Sequence, residues 1–268
     1  MITRIKQRLP NSFARSIKQI YLSLRGLLYS GTKYNCNLCH KSFRKMMEGG
    51  FDLPIIKEKQ IIGAGIRNHI CPYCQSTDRD RLVKLYLDNH FNLTDQPIKV
   101  LHIAPEPSLN NMFNKLDNVN YIPAAKYHEG IYYPDNLTLV DLTDMHFEEA
   151  EFDLIICNHV LEHIEEDNLA FSEIYRVLRK GGTAILQVPY SELLDKTHED
   201  ASMTTYSQRE KHFGQFDHVR LYGKDYQEKL ETAGFKVTLF NPLSIDAEKK
   251  VNKLSLFKGE KLFVTTKP

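Results

Sequence analysis

From residue 97 onward the chain alternates short apolar runs with more polar stretches. The runs are "IKVLHIA", "VNYIPAA", "LTLVDL", "FDLIICN", "TAILQVP", "FKVTLF" and "KLFVTTK". The first of these are nearly continuous in apolar residues, as strands buried on both faces must be. Helical patterns lie between several of them. In "DNLAFSEIYRVLRKGG", Ile174, Val177 and Leu178 make one stripe, basic residues fill the last turn, and Gly181 or Gly182 is the expected stop. "GKDYQEKLETAGF" repeats the design with Gly234. This alternation predicts a doubly wound α/β fold with a seven-stranded, mostly parallel sheet. Residues 241–259 carry no convincing crossover helix, so the last two runs are expected to close the sheet as an antiparallel pair.

With 268 residues, the chain has room for such a domain and a smaller one before it. The expected division is a basic amphipathic segment (1–31), a small module with a linking helix "RDRLVKLYLDNHF" (32–90), and the α/β domain (91–268). The small module holds Cys36-x2-Cys39 and Cys71-x2-Cys74. Two pairs on tight turns bring four thiolates to one point, a tetrahedral set that suits a structural Zn²⁺. "CNLCH" also fits covalent haem attachment, but that reading leaves "CPYC" without a role. A redox C-x-x-C would sit within a βαβ pattern, which is not found there. Cys157 lies inside "FDLIICN" and reads as buried filler.

Net charge is +1, so overall charge selects no partner; its distribution is more informative. Met1 to Lys45 contains no Asp or Glu, while Arg4, Lys6, Arg8, Arg15, Lys18, Arg25, Lys33, Lys41, Arg44 and Lys45 are basic. Within it, 12–29 places Phe13, Ile17, Ile20, Tyr21, Leu24 and Leu28 at helical spacing. Such a helix either packs on the rest of the protein or makes peripheral contact with a membrane surface or RNA. No run reaches the ~18 apolar residues of a membrane span. No signal peptide is read, and the expected location is the cytoplasm.

"FDLIICNHVLEHI", "EIYRVLRKGG" and "AILQVP" together resemble the class I S-adenosylmethionine (SAM) dependent methyltransferases, over residues 97–268. With the cysteine pairs, "LHIAPEP" and "HFGQFDHVRLYG", the chain resembles a zinc-ribbon-containing bacterial subgroup of that family. The resemblance implies SAM as cofactor, bound beyond the carboxyl ends of the strands. It implies that His102, Ala104, Pro105 and Glu106 form the loop at the methionine part. Ala125 falls where a ribose-binding carboxylate is usual, Asp141 and Leu142 at the adenine, and Asn158 and His159 beside the sulfonium. Two positions depart from the family pattern. His102 and Ala104 replace the first acidic residue and glycine of the strand 1 motif, and Ala124-Ala125-Lys126 offers no carboxylate, for which Glu106 or Glu129 are the substitutes at hand.

The long segment after "AILQVP" concentrates groups for an acceptor. His212 and His218 are the candidate bases, with Asp217 and Arg220 as positioners and Arg220 as a clamp for an anionic acceptor group. His198, Glu199, Asp200, His212 and His218 form an alternative divalent-metal set. Glu162 and His163 are expected inside a helix starting near Val160, where adjacent side chains diverge, and so are read as structural. The function expected is transfer of a methyl group (EC 2.1.1.-) to an O or N acceptor, a small polar or saccharide-like molecule such as a glycan intermediate. The alternatives are an RNA methyltransferase and a degenerate methyltransferase-fold scaffold without activity.

Overall fold

The computed structural model describes residues 11–91, 93, 96–126, 136–245 and 248–268. Glu129, one substitute for the ribose carboxylate, lies outside these residues. The N-terminal part holds α1 (Asn11–Leu28), β1 (Ser30–Asn35), β2 (Ser42–Phe43), β3 (Met47–Gly49), α2 (Pro54–Glu58), β4 (Arg67–Ile70) and α3 (Asp78–His90). β1 pairs with β2, and β3 with β4, both antiparallel.

The main sheet follows. Its elements are β5 (Ile98–Ile103), α4 (Pro107–Phe113), β6 (Val119–Ala125), β7 (Thr138–Leu139), β8 (Phe152–Asn158), α5 (Asp167–Val177) and β9 (Leu178–Gln187). Next come β10 (His198–Glu199), α6 (Tyr206–Phe213), β11 (Arg220–Leu221) and α7 (Tyr226–Thr232). The chain closes with β12 (Lys236–Phe240), α8 (Pro242–Ile245), α9 (Glu248–Lys253) and β13 (Leu262–Thr266). Seven strands form one sheet in the order β12-β13-β9-β8-β5-β6-β7. Six of them contain the expected runs in parallel or edge positions, and β13 inserts antiparallel between β9 and β12. The α/β reading and the reversed closing pair are both present.

Alternation along the central strands sends successive side chains to opposite faces. Leu101, Ile103, Ile155 and Cys157 pack with Phe171 and Ile174 of α5 and Tyr226 and Leu230 of α7. Val100, Leu154 and Ile156 pack on the other side with Leu109 and Phe113 of α4 and Val251 of α9. Leu82, Val83 and Leu87 of α3 join this second layer. The expected linking helix is therefore part of the core of the α/β domain. α5 also ends earlier than read: Val177 is its last residue, and Leu178 to Lys180 already belong to β9. The strand side of the site explains the shift, because Phe152 of β8 pairs with Leu178.

α1 docks by one edge only. Leu22 is buried, the Gly26 backbone lies against the Tyr73 ring, and Arg25 Nε donates to the Pro72 carbonyl oxygen at 2.6 Å. Ile17, Ile20, Tyr21, Leu24, Leu27 and Leu28 are exposed. The apolar stripe thus faces away from the protein. Among the described residues, no helix is long and apolar enough to cross a membrane.

Candidate functional site

Two matched knuckles bring the cysteines together. Cys36 accepts from the His40 amide at 2.8 Å and Cys71 from the Gln75 amide at 3.1 Å. His40 and Gln75 both take positive φ, 58° and 63°, which closes each turn. Cys36 Sγ lies 3.6 Å from Cys74 Sγ, and Cys39 Sγ lies 3.7 Å from Cys71 Sγ. A disulfide needs sulfurs ~2.05 Å apart. A tetrahedral ion with ~2.3 Å bonds to sulfur separates them by about 3.8 Å, so the spacing fits a four-thiolate Zn²⁺ site. Ser76 Oγ stands 3.3 Å from Cys36 Sγ and 3.2 Å from Cys74 Sγ as an outer-shell partner.

The second knuckle leads straight into α3 and to the crevice of the sheet. Thr77 and Asp80 form a reciprocal cap at the start of α3. Fully buried Arg81 holds this segment down. It donates to the carbonyl oxygens of Ser76 (2.9 Å), His69 (2.8 Å), Leu254 (2.7 Å) and Ser255 (3.1 Å). Arg79 is thereby placed with its Nε 3.9 Å from Glu106 Oε1.

Beyond β5 the chain turns at Ala104, whose φ of 46° lies in the left-handed region that favours glycine. The left-handed turn is made here without a glycine. Glu106 folds inward. Its Oε2 accepts from His102 Nε2 at 2.8 Å and its Oε1 from Asn158 Nδ2 at 3.1 Å. Burial would raise this carboxyl, but the His102 hydrogen bond and the charges of His102 and Arg79 hold it below the usual range. Glu106 is thus engaged across the end of β8 by His102 and Asn158.

At the end of β6, Lys126 Nζ pairs with Asp141 Oδ2 at 2.7 Å, beside the short β7. Asp141 Oδ1 also accepts from the Thr143 amide (3.0 Å) and hydroxyl (2.8 Å), capping its own turn. The Lys126 hydrogen bond, then those of Thr143, lower the Asp141 carboxyl to about 2. Ala125 and Leu142 are buried beside this pair.

Past β8, His159 turns back with φ 52° and a single 3-10 turn, Leu161–His163, follows. The expected α-helix near Val160 is absent, and the 3-10 turn in its place sets both Glu162 and His163 on the wall of one cavity. Glu162, His163 and His218 instead offer ligand-type atoms within 4.8 Å of one another. Glu162 is fully buried and neither of its carboxylate oxygens has a hydrogen-bond partner. Burial pushes its carboxyl up to about 8. His218 Nδ1 donates to the Phe213 carbonyl oxygen at 3.2 Å, and burial lowers its imidazole to about 4. His163 Nδ1 lies 3.3 Å from Asp217. His159 is pushed well down, by burial and then by the charge of Arg79.

These groups line a cavity of about 320 Å³ between the cysteine module and the sheet. Gly63, Gly65, Arg67 and Arg79 contribute from the module side, and His159, Glu162, His163 and His218 from the sheet side. Gly63, at φ 87°, passes close to the His159 ring, where a Cβ would come within 3.2 Å. The Ile62–Tyr190 bridge fixes that contact. Arg79 Nε, Asn158 Oδ1 and His159 Nε2 are buried without hydrogen-bond partners, as are both Glu162 oxygens. Buried polar atoms are normally paired by protein, water or ligand, so this concentration makes the cavity the candidate binding site.

The sequence-read acceptor residues separate in space. His218 lines the cavity and Asp217 supports His163. His212 packs near His198, with ring centroids 6.1 Å apart, and does not line the cavity. Arg220 is buried and occupied by Glu199 (2.8 Å) and by the carbonyl oxygens of Ile164 and Glu165. It braces the loop rather than clamping an acceptor. The alternative set His198, Glu199, Asp200, His212 and His218 is likewise not brought together: His218 groups with Glu162 and His163. Cys157 is fully buried, as expected of filler. Glu162, His163, Arg67 and Arg79 were missed as site residues; "HVLEH" was the one visible signal.

Residues 115–186 match a family model described as a methyltransferase domain. No match is found among curated proteins. A SAM-dependent methyltransferase from Archaeoglobus fulgidus is 14% identical, with a TM-score of 0.45, over 72% of this chain and 96% of that one. A Bacillus halodurans protein described as a methyltransferase is 19% identical, with a TM-score of 0.43, over 70% and 98%. Phosphoethanolamine N-methyltransferase 2 of Haemonchus contortus is 15% identical, with a TM-score of 0.46, over 70% and 52%. The matched residues run from just after α4 into β9, inside the seven-stranded sheet whose mostly parallel strands and reversed closing pair the sequence motifs imply.

Proposed function

We propose that the protein transfers a methyl group from SAM to an oxygen or nitrogen of a small polar, saccharide-like acceptor. The observation that carries this reading is the cavity at the end of β8, lined by unpartnered buried polar atoms and roofed by the cysteine module. SAM supplies an electrophilic methyl group on a sulfonium. Its amino-acid end carries both charges, which Glu106 and Arg79 match; Asn158 and His159 then flank the sulfonium. Asp141 and Leu142 are left for the adenine. The ribose end fits less well, because Lys126 stands where a carboxylate is usual.

On the acceptor side, Asp217 stands 3.3 Å from His163 Nδ1 and can orient that ring toward the acceptor. His218 adds a neutral imidazole to the same wall. His212 and Arg220 support the loop. Four thiolates hold a structural zinc, a use of cysteine that accords with a reducing cytoplasm. The exposed apolar stripe of α1, flanked by Lys18 and Arg25, supports peripheral contact with an anionic membrane surface, where a lipid-linked saccharide would be presented.

The Lys126–Asp141 pair favours one second reading, a binding protein on the same fold without catalysis. Calorimetric titration with SAM and S-adenosylhomocysteine decides between them. Binding that weakens in Asp141→Ala is expected. No binding at millimolar cofactor would leave only the second reading.

A further inference from the structure

We infer that the cavity is a metal site: Glu162, His163 and His218 take one divalent transition-metal ion, and its open positions face the acceptor. The inference deepens the methyltransferase reading and rests on it for the role of the ion, though not for its binding.

The donor set is one carboxylate and two imidazoles, a mixture that suits first-row divalent ions. Each side chain is oriented for ligation. His218 uses Nδ1–H on the Phe213 carbonyl oxygen, which makes Nε2 the lone-pair nitrogen, and Nε2 lies 3.9 Å from Glu162 Oε1. Asp217 stands 3.3 Å from His163 Nδ1, the arrangement of a carboxylate that supports a ligating histidine. Glu162 is the decisive member. It is fully buried, neither oxygen has a hydrogen-bond partner, and His159 Nδ1 stands 3.5 Å from Oε1, so a cation in the cavity would give its charged form the partner it lacks. Arg79 and Arg67 line the same cavity, but Arg67 is held by Asp78 at 2.6 Å and neither hydrogen-bonds Glu162. The ligand atoms lie within 4.8 Å of one another, so bonds of ~2.0–2.2 Å require the side chains to close in by roughly 1 Å.

An ion here explains why a turn ending in two adjacent titratable residues faces a cavity. It would bind an acceptor hydroxyl oxygen and lower its pKa. The hydroxyl proton then leaves to a base or water. The oxygen forms its bond to the methyl carbon as the sulfonium carbon–sulfur bond breaks, giving a methyl ether and neutral S-adenosylhomocysteine.

The test is a Mn²⁺ titration of the full chain, followed by water-proton relaxation, with zinc content measured separately. Mn²⁺ has little affinity for thiolates, so the cysteine site does not compete. One Mn²⁺ per chain is expected. Glu162→Gln and His218→Ala should weaken it beyond tenfold, and Asp217→Asn by about 10–100-fold, with zinc content unchanged. Mn²⁺ should also broaden the ring-proton NMR signals of His163 and His218 in the unaltered protein, a readout that needs no variant to fold. Absence of Mn²⁺ binding at millimolar concentration, unbroadened rings, or an unaffected Glu162→Gln would overturn the inference. Mn²⁺ binding without SAM binding would uphold the site and remove the methyltransferase reading; SAM binding without Mn²⁺ would do the reverse.

Discussion

At the scale of single residues, the departures from the family pattern have physical consequences that can be measured. Ala104 adopts φ 46° where the family pattern has glycine. A left-handed alanine costs about 1–2 kcal/mol, while glycine loses roughly 0.5–1 kcal/mol more entropy on folding. Ala104→Gly is therefore expected to raise stability by up to about 1 kcal/mol in urea unfolding. A loss of stability would mean that the turn is not strained. Glu260 gives a pH signature. Its carboxyl is fully buried, and burial followed by the Asp78 charge raises it from 4.5 to about 7, against the opposing charges of Arg79 and Arg67 and the Gln187 hydrogen bond. The folded state then keeps a proton that the unfolded state releases. Stability from this group is fully present below pH 4.5 and is lost as pH rises to about 7. Unfolding measured across this window should show a flatter profile for Glu260→Gln than for the unaltered chain. Parallel profiles would place the carboxyl at an ordinary value.

At the scale of elements, α1 carries the clearest prediction. Six large apolar residues from Ile17 to Leu28 face away from the body, while Gln19, Leu22, Arg25 and Gly26 are on the docked edge. Flotation with phosphatidylglycerol vesicles should bring the chain up at low salt, and Leu24→Glu with Leu27→Glu should abolish it. Equal flotation of the double variant would remove the membrane contact. The strands were legible because burial on both faces writes itself as continuous apolar runs. Element ends were less so. Arg179 and Lys180 look like the last turn of a helix, yet pairing of Leu178 with Phe152 draws them into β9. The stretch after β8 misled in a similar way. Its residues permit an α-helix, and only the left-handed His159 shows that a 3-10 turn aims Glu162 and His163 at one cavity. The cavity itself joins segments near 50–79 to segments near 159–218, a proximity no local pattern encodes. The cysteine spacing was legible because two knuckles of identical form meet.

At the scale of the whole molecule, the cysteine module and the α/β domain line one cavity, so the metal expected in the module should control ligand binding there. The physical route is short. Ser76 touches two of the sulfurs, its carbonyl oxygen accepts from Arg81, and Arg81 ties the segment to Leu254 and Ser255 of the main domain. Arg79 lies within the same stretch and faces Glu106. Loss of zinc removes the order of the knuckles and with it the placement of Arg79, Gly63 and Gly65 around the cavity. The layer of the sheet formed with Phe171, Ile174, Tyr226 and Leu230 contains no residue of the module among its buried members and should persist. Chelation at neutral pH, or Cys71→Ser, is thus expected to loosen the backbone at the already exposed Lys41, Arg44 and Lys45 and speed trypsin cleavage there, while the sheet keeps its circular dichroism. SAM affinity should fall in the same sample, because Glu106 loses its arginine partner. If zinc is gone by emission spectroscopy and both the cleavage pattern and the SAM affinity are unchanged, the module is not what shapes the site.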